Sequence, residues 1–290
     1  SSAASDVYKR QIQPWRRSPH SSHVGGVDAA APLTCSSLQL RRFDAPISLC
    51  KSLVDVLEQE LRQLLIHGPA ARPLGLATGR TMEPVYAGLV MRLQGWSATD
   101  RQRLRLVWSS FNLDEYIGLA SRDPRSYRAF MDTWLGQPLQ LTSSCLRVPD
   151  GQAMDPTVAA EDYSRDVQAS GGIGLQLLGL GANGHVGFNE PPCGPEQRCH
   201  VVTLSEATRH QNASMFGGTP AAVPHQAITL GVAEILAARE IHLVVTGRSK
   251  APILARLLEM QRPDPSLPAS WLLEHQRVQL WADAEALSLT

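Results

Sequence analysis

The stretch from Gly174 to Glu190 constrains this chain more than any other. An apolar run, Gly174 to Leu180, has the length of one buried strand and runs without a spacer into Gly181-Ala182-Asn183-Gly184-His185. Strands apolar on both faces belong to parallel sheets covered by helices. The pattern recurs. Pro73 to Thr78 leads into Gly79-Arg80-Thr81, Leu104 to Ser109 leads toward Phe111-Asn112-Leu113-Asp114-Glu115-Tyr116, and Ile241 to Thr246 leads into Gly247-Arg248-Ser249-Lys250. Val201 to Leu204, Ala227 to Leu230 and Gln276 to Trp281 are further strand candidates. Helical spacing of Leu49, Leu53, Val56, Leu57, Leu61 and Leu64 predicts a helix over 45–66, closed by His67-Gly68-Pro69. Helical patterns also cover 82–93, 124–135 and 156–168, and start at Glu206 and Ser249. The expected fold class is α/β, with a single doubly wound, mostly parallel sheet and helices on both faces. Ligands bind such sheets at the carboxyl ends of the strands, where the polar segments sit.

Composition narrows the function classes. With 43% hydrophobic and 19% charged residues among 290, the chain can bury a large core, which excludes wholesale disorder. Lys+Arg and Asp+Glu are both 27, so no global basic field exists for nucleic acid. No apolar run reaches the roughly 18 residues of a membrane span. Neither a nucleic-acid nor a membrane partner is expected. The cysteines, Cys35, Cys50, Cys145, Cys193 and Cys199, are odd in number and include no Cys-x-x-Cys pair. That argues for free thiols in a reducing, cytoplasmic compartment and against structural zinc. Residues 1–42 are rich in Ser, Ala, Pro and Arg and lack a sustained period. They read as an irregular extension, disordered or non-native, with a targeting peptide or basic arm as the alternative. The folded unit is then 43–290, carrying 21 basic and 25 acidic residues. An anionic ligand would have to be held there by local charge, against the global sign.

Each strand end carries chemistry with a plainer alternative beside it. Thr78, Gly79, Arg80 and Thr81 offer hydroxyls and backbone N–H groups to an anion, or simply a capped turn. Lys250 is one of three lysines against 24 arginines, which fits a need for a compact ammonium. Arg209 could clamp a phosphate or remain a surface charge. Asp114 and Glu115, adjacent on an extended segment, point opposite ways. One can face a pocket as a base while the other is tied to backbone. His185 sits among four glycines, and Glu190 could orient it and raise its basicity.

These residues carry a resemblance. Phe111 to Tyr116 and Gly181 to Pro191 closely resemble the glucosamine-6-phosphate deaminase/isomerase family. Thr78 to Thr81, Ser126 to Phe130, Leu204 to Arg209 and Gly247 to Lys250 are similar in the same order, so the resemblance spans roughly 45–290. It implies a Rossmann-like domain that converts glucosamine 6-phosphate and water to fructose 6-phosphate and ammonia. It further implies Asp114 as the base between C2 and C1, and His185 as the acid/base at the ring oxygen. Asn183 and Glu190 would hold His185, and Thr78, Gly79, Arg80, Thr81, Arg209 and Lys250 would bind the phosphate. No metal or organic cofactor is implied, and the partner is a small amino sugar phosphate. Whether the protein is a monomer or a homo-oligomer stays open.

Departures and rivals remain. Asn183 stands where one branch of the family has Asp, and Arg80 where Gly or Ser is frequent. With the last expected strand close to Thr290, the allosteric C-terminal tail of hexameric members is expected to be absent, and with it activation by N-acetylglucosamine 6-phosphate. The rivals are a 6-phosphogluconolactonase-type hydrolase, a galactosamine 6-phosphate deaminase and a non-catalytic sugar-phosphate sensor.

Overall fold

The computed structural model describes residues 38–290. In chain order these form β1 (Leu38–Phe43), α1 (Pro46–His67), β2 (Leu74–Leu76), α2 (Glu83–Gln94) and α3 (Ala98–Val107). Then come β3 (Ser110–Asn112), β4 (Asp114–Tyr116), α4 (Tyr127–Met131), β5 (Leu146–Arg147), α5 (Pro156–Ala169) and β6 (Leu175–Gly179). The last third holds β7 (His200–Thr203), α6 (Glu206–Asn212), β8 (Gln226–Thr229), α7 (Val232–Leu236), β9 (Glu240–Val245), α8 (Ala251–Glu259) and β10 (Val278–Asp283).

Seven strands form one parallel sheet in the order β1-β10-β9-β6-β2-β3-β5. The reversal of chain direction across this order is that of a doubly wound sheet, as the alternation of strands and helices predicts. Its centre is apolar on both faces. Leu175, Leu177 and Leu178 on β6 and Ile241, Leu243 and Val244 on β9 are all buried. The α1 helix buries Leu49, Leu53, Val54, Leu57, Leu61 and Leu64, so its apolar stripe follows the helical period. It ends where Gly68 takes φ 60°, a conformation that costs glycine little. No helix among the described residues is long and apolar enough to cross a membrane.

Three readings change. The strand placed over 104–109 is the end of α3, and the strand follows it as β3. Ser97 decides this. Its hydroxyl accepts the Asp100 N–H at 3.0 Å and starts a helix whose last turns carry Leu104 inward and Leu106 outward. Second, Leu38 to Arg42, assigned above to the irregular extension, form β1 on the sheet edge. Its register with β10 pairs Leu38 with Val278 and Phe43 with Asp283. Arg41 lies over the Trp281 ring at 4.4 Å, and Phe43 stacks on the same ring at 5.6 Å. A six-residue strand with two arginines has too little alternation to be seen before its partner, some 240 residues away, is known. The expectations for residues 1–37, Cys35 included, lie outside the described residues.

Third, the single expected sheet gains a companion. Strands β4, β8 and β7 form a separate antiparallel sheet in that order. Its register sets Asp114 against Thr229 and Glu115 against Ile228. Only Leu113 separates β3 from β4, so the chain leaves the large sheet and enters the small one at once. That switch carries Asp114 to the carboxyl edge of the parallel strands.

Candidate active site

A cavity of about 440 Å³ opens at that edge. Four strand ends reach it: Ala77 to Met82 after β2, Leu113 and Asp114 between the sheets, Gly179 to Ala182 after β6, and Val244 to Thr246 with Ser249 and Lys250 after β9. Helix α6 closes one side with Ala207, Gln211 and Asn212.

Asp114 and Glu115 separate as strand alternation requires. The Glu115 carboxylate is buried and accepts three backbone N–H groups. Oε1 takes those of Tyr116 at 2.8 Å and Tyr127 at 3.0 Å, and Oε2 takes that of Arg128 at 2.8 Å. It thereby ties β4 to the start of α4. Asp114 lines the cavity at 5% exposure, and no hydrogen bond reaches its carboxylate among the described residues. Burial pushes its pKa well above the ordinary carboxylate value, and the Glu115 charge adds to the rise. Gly187 lies beside this carboxylate, in the left-handed region and close against Thr229. At φ +60° a side chain there would be strained, and its Cβ would stand 2.9 Å from Thr229 Oγ1 and 3.6 Å from Asp114 Oδ2.

His185 also lines the cavity, at 6% exposure. Gly181 is packed flat against the imidazole, so that any Cβ would collide with Cδ2, Nε2 and Cε1. Of the four glycines, Gly181 is the one required by close approach of backbone to ring, whereas Gly184 at φ +87° makes room for Leu267. Burial lowers the His185 pKa to about 4, opposed by Glu190 and assisted by Lys250, so the ring is neutral at pH 7. An aromatic wall surrounds this end. Tyr116 packs on Tyr127, Phe188 and Phe216 at centroid distances of 4.9, 5.4 and 5.3 Å, and Phe188 meets the His185 ring edge-on at 6.2 Å.

Among the described residues, no hydrogen bond joins Asn183 or Glu190 to the His185 ring; Asn183 reaches its backbone instead, with Glu190 behind it. Glu190 Oε2 accepts Asn183 Nδ2 at 2.6 Å, and Asn183 Oδ1 accepts the His185 backbone N–H at 3.2 Å. Glu190 Oε1 accepts the Ser205 N–H at 3.0 Å. The ring partner is Thr208, whose Oγ1 lies 3.3 Å from Nδ1. Thr208 lay within the matched segment 204–209, yet nothing in its sequence setting singled it out.

At the other end, Thr78, Gly79, Arg80, Thr81 and Lys250 are brought together as expected. Lys250 Nζ donates to Gln211 Oε1 at 3.2 Å, and the same oxygen accepts the Ala182 N–H at 2.8 Å. Partial burial lowers the Lys250 pKa, and the Arg80 charge lowers it further. Arg209 is not brought in. Its guanidinium lies against the exposed His225 ring, with Nη1 2.8 Å from Nδ1. Helix α6 turns Thr208 and Gln211, three residues apart, toward the site, and this faces Arg209 elsewhere. Behind Lys250, buried Asp283 accepts the Gly247 N–H at 3.0 and 3.1 Å and the Ala286 N–H at 2.8 Å. It anchors the loop that presents the lysine. No sequence pattern marked Asp283, because it comes from the far end of the chain.

Comparison with known proteins shows the family of the chain. Residues 44–281 match the family of glucosamine-6-phosphate isomerases/6-phosphogluconolactonase. A glucosamine-6-phosphate deaminase from Geobacillus sp. (strain WCH70) is 40% identical over 236 residues, which cover 80% of this chain and 91% of that protein. The solved structure of a monomeric glucosamine-6-phosphate deaminase is similar at TM-score 0.78 and 35% identity, covering 87% of this chain and 100% of that one. The 6-phosphogluconolactonase of Thermotoga maritima superposes at TM-score 0.65 with 17% identity, over 85% and 99% of the two chains, a likeness of fold alone.

Proposed function

The chain belongs to the family of glucosamine-6-phosphate isomerases and 6-phosphogluconolactonases, and from that premise we propose that it is a glucosamine-6-phosphate deaminase. It takes glucosamine 6-phosphate and water to fructose 6-phosphate and ammonia. The observation that carries this reading is Asp114. It is a buried carboxylate that no hydrogen bond reaches among the described residues, facing the same cavity as a neutral imidazole while its neighbour Glu115 is fully engaged.

The chemistry follows from those states. His185 assists opening of the sugar ring by exchanging a proton at the ring oxygen. Asp114 takes the C2 proton of the open-chain aldehyde and returns it to C1. The resulting C2 imine is hydrolysed by water, leaving a ketone and releasing ammonia. An unbonded, desolvated carboxylate is a stronger base than a solvated one, so the isolation of Asp114 serves this step. Thr78, Gly79, Thr81 and Lys250, with Arg80 at the exposed rim, hold the phosphate and so position C1 and C2. Arg209 has no part in this unless α6 turns. The enzyme belongs in the cytoplasm, a placement that the free thiols of Cys50, Cys145, Cys193 and Cys199 support.

The test incubates purified protein with glucosamine 6-phosphate, galactosamine 6-phosphate and 6-phosphogluconolactone, following ammonia, ketose phosphate and lactone loss. Ammonia and fructose 6-phosphate in equal amounts from the first are expected. Lactone hydrolysis alone, or no turnover of either amino sugar, would overturn the reading.

A further inference from the structure

We propose that Thr208, backed by Ser205, is a positioning residue that fixes His185 in the tautomer carrying its proton on Nε2. The inference rests on the reading of His185 as the ring-opening acid, and deepens it by naming the nitrogen that gives the proton.

The protons in this closed space can be counted. Thr208 is 1% exposed. Its Oγ1 receives the Ser205 hydroxyl proton at 3.1 Å, while Ser205 Oγ accepts the Thr208 backbone N–H at 3.2 Å. The Ser205 proton is therefore spent on Thr208. Among the described residues, with the Ser205–Thr208 bond running in that direction, the Thr208 proton is left with His185 Nδ1 as its acceptor, at 3.3 Å. If Nδ1 itself carried a proton, both hydrogens would meet along that line, and the threonine hydroxyl would be left as a buried donor without a partner. The arrangement that satisfies every group runs in one direction: Ser205 O–H to Thr208 Oγ1, and Thr208 O–H to His185 Nδ1. A neutral imidazole that accepts at Nδ1 must donate at Nε2.

The surroundings leave Nε2 free to act. No protein group among the described residues hydrogen-bonds it, and the ring lines the cavity. Glu190 and Lys250 are the charges that bear on the ring. The Glu190 oxygens are committed to Asn183 Nδ2 and the Ser205 N–H, so neither competes for a ring nitrogen. Ser205 thus serves twice. It caps helix α6 through the Thr208 N–H, and it sets the direction of the hydroxyl chain. Glu190, by holding both Asn183 and Ser205, fixes the two supports of His185 relative to each other.

Nitrogen-15 NMR of the ligand-free protein, labelled at histidine and recorded at neutral pH, reads the tautomer directly. The expected spectrum for His185 has the protonated nitrogen at Nε2. In Thr208→Val, which keeps the shape and loses the hydroxyl, the Nδ1–H form should grow. The kcat for glucosamine 6-phosphate should fall about 10-fold, a part of what proton transfer contributes, with KM little changed. Thr208→Ser should restore both the spectrum and kcat. A wild-type ring protonated at Nδ1 overturns the proposal without any variant, so failure of Thr208→Val to fold does not shield it. An unchanged tautomer and kcat in Thr208→Val, or a Thr208→Ser as impaired as the valine variant, would also overturn it. The spectrum needs no turnover. A protein inactive on amino sugars but protonated at Nε2 would sink the proposed activity and leave the tautomer assignment standing.

Discussion

The two ends of the cavity are built on opposite physical terms. At the end proposed for proton transfer, Asp114 and His185 are 5% and 6% exposed, beside the packed rings of Tyr116, Tyr127 and Phe188. Burial drives each toward its neutral form, raising the acid and lowering the base. At the end proposed for the phosphate, Thr78, Gly79 and Lys250 are half-buried and Arg80 is exposed. Desolvation sharpens proton transfer but would penalise entry of a dianion, so one pocket keeps a dry end and a wet end. The same contrast appears within two residues. Among the described residues no hydrogen bond reaches the Asp114 carboxylate, whereas Glu115 accepts three backbone N–H groups and holds structure.

Asp114→Asn tests the dry end and should show the largest effect. Turnover should drop by roughly 100- to 10,000-fold, while calorimetric affinity for fructose 6-phosphate is kept. The melting temperature should rise, since a buried carboxylate without partners gives way to a neutral amide. Full turnover, or a fall in melting temperature, would erase the distinction between the ends.

Lys250→Met tests the wet end. Loss of charge-assisted hydrogen bonds worth about 1.5–3 kcal/mol should raise KM roughly 10- to 100-fold, with a smaller change in kcat. Arg209→Ala is the paired control. A cation resting on an exposed histidine contributes about 0–1 kcal/mol, so KM should change less than about 5-fold in steady-state assays. Equal losses in the two variants would show that α6 turns Arg209 inward when substrate binds.

Glu115→Gln separates the two carboxylates by a smaller margin. An amide can keep the two bonds at Oε1 but points an N–H group at the Arg128 N–H. The cost should be about 1–3 kcal/mol, read as a lowered melting temperature. The acid limb of kcat/KM should move to lower pH. The Glu115 charge raises the Asp114 pKa, so its removal lets the base stay ionised further into acid. A limb that stays in place would mean that burial alone sets the Asp114 pKa.

The sequence makes some of this legible because the information is local. The apolar runs ending at Thr78, Leu180 and Thr246, each followed by Gly-rich polar residues, place three strand ends and their cargo without knowledge of any partner. Strand alternation requires that Asp114 and Glu115 face apart, but not which of them faces the cavity. That depends on β8, which pairs with β4 from more than 100 residues away. Ser97 and Asp100 carry the start signal for α3, a capping hydroxyl three residues before the N–H that it accepts. The edge strand β1 is too short and too charged to stand out alone.

What the sequence by itself determined is the set of parts. It gives a parallel α/β sheet, a carboxylate pair, a histidine against glycine, and an anion-binding turn with its lysine. Tertiary structure decided which part meets which. It placed Thr208 rather than Glu190 on the His185 ring, Gln211 rather than Arg209 in the cavity, and Asp283 beneath the lysine loop. The reason is geometric. Period and propensity fix the face on which a side chain lies, but the direction that face takes is settled only when helix and strand pack against chain remote in sequence.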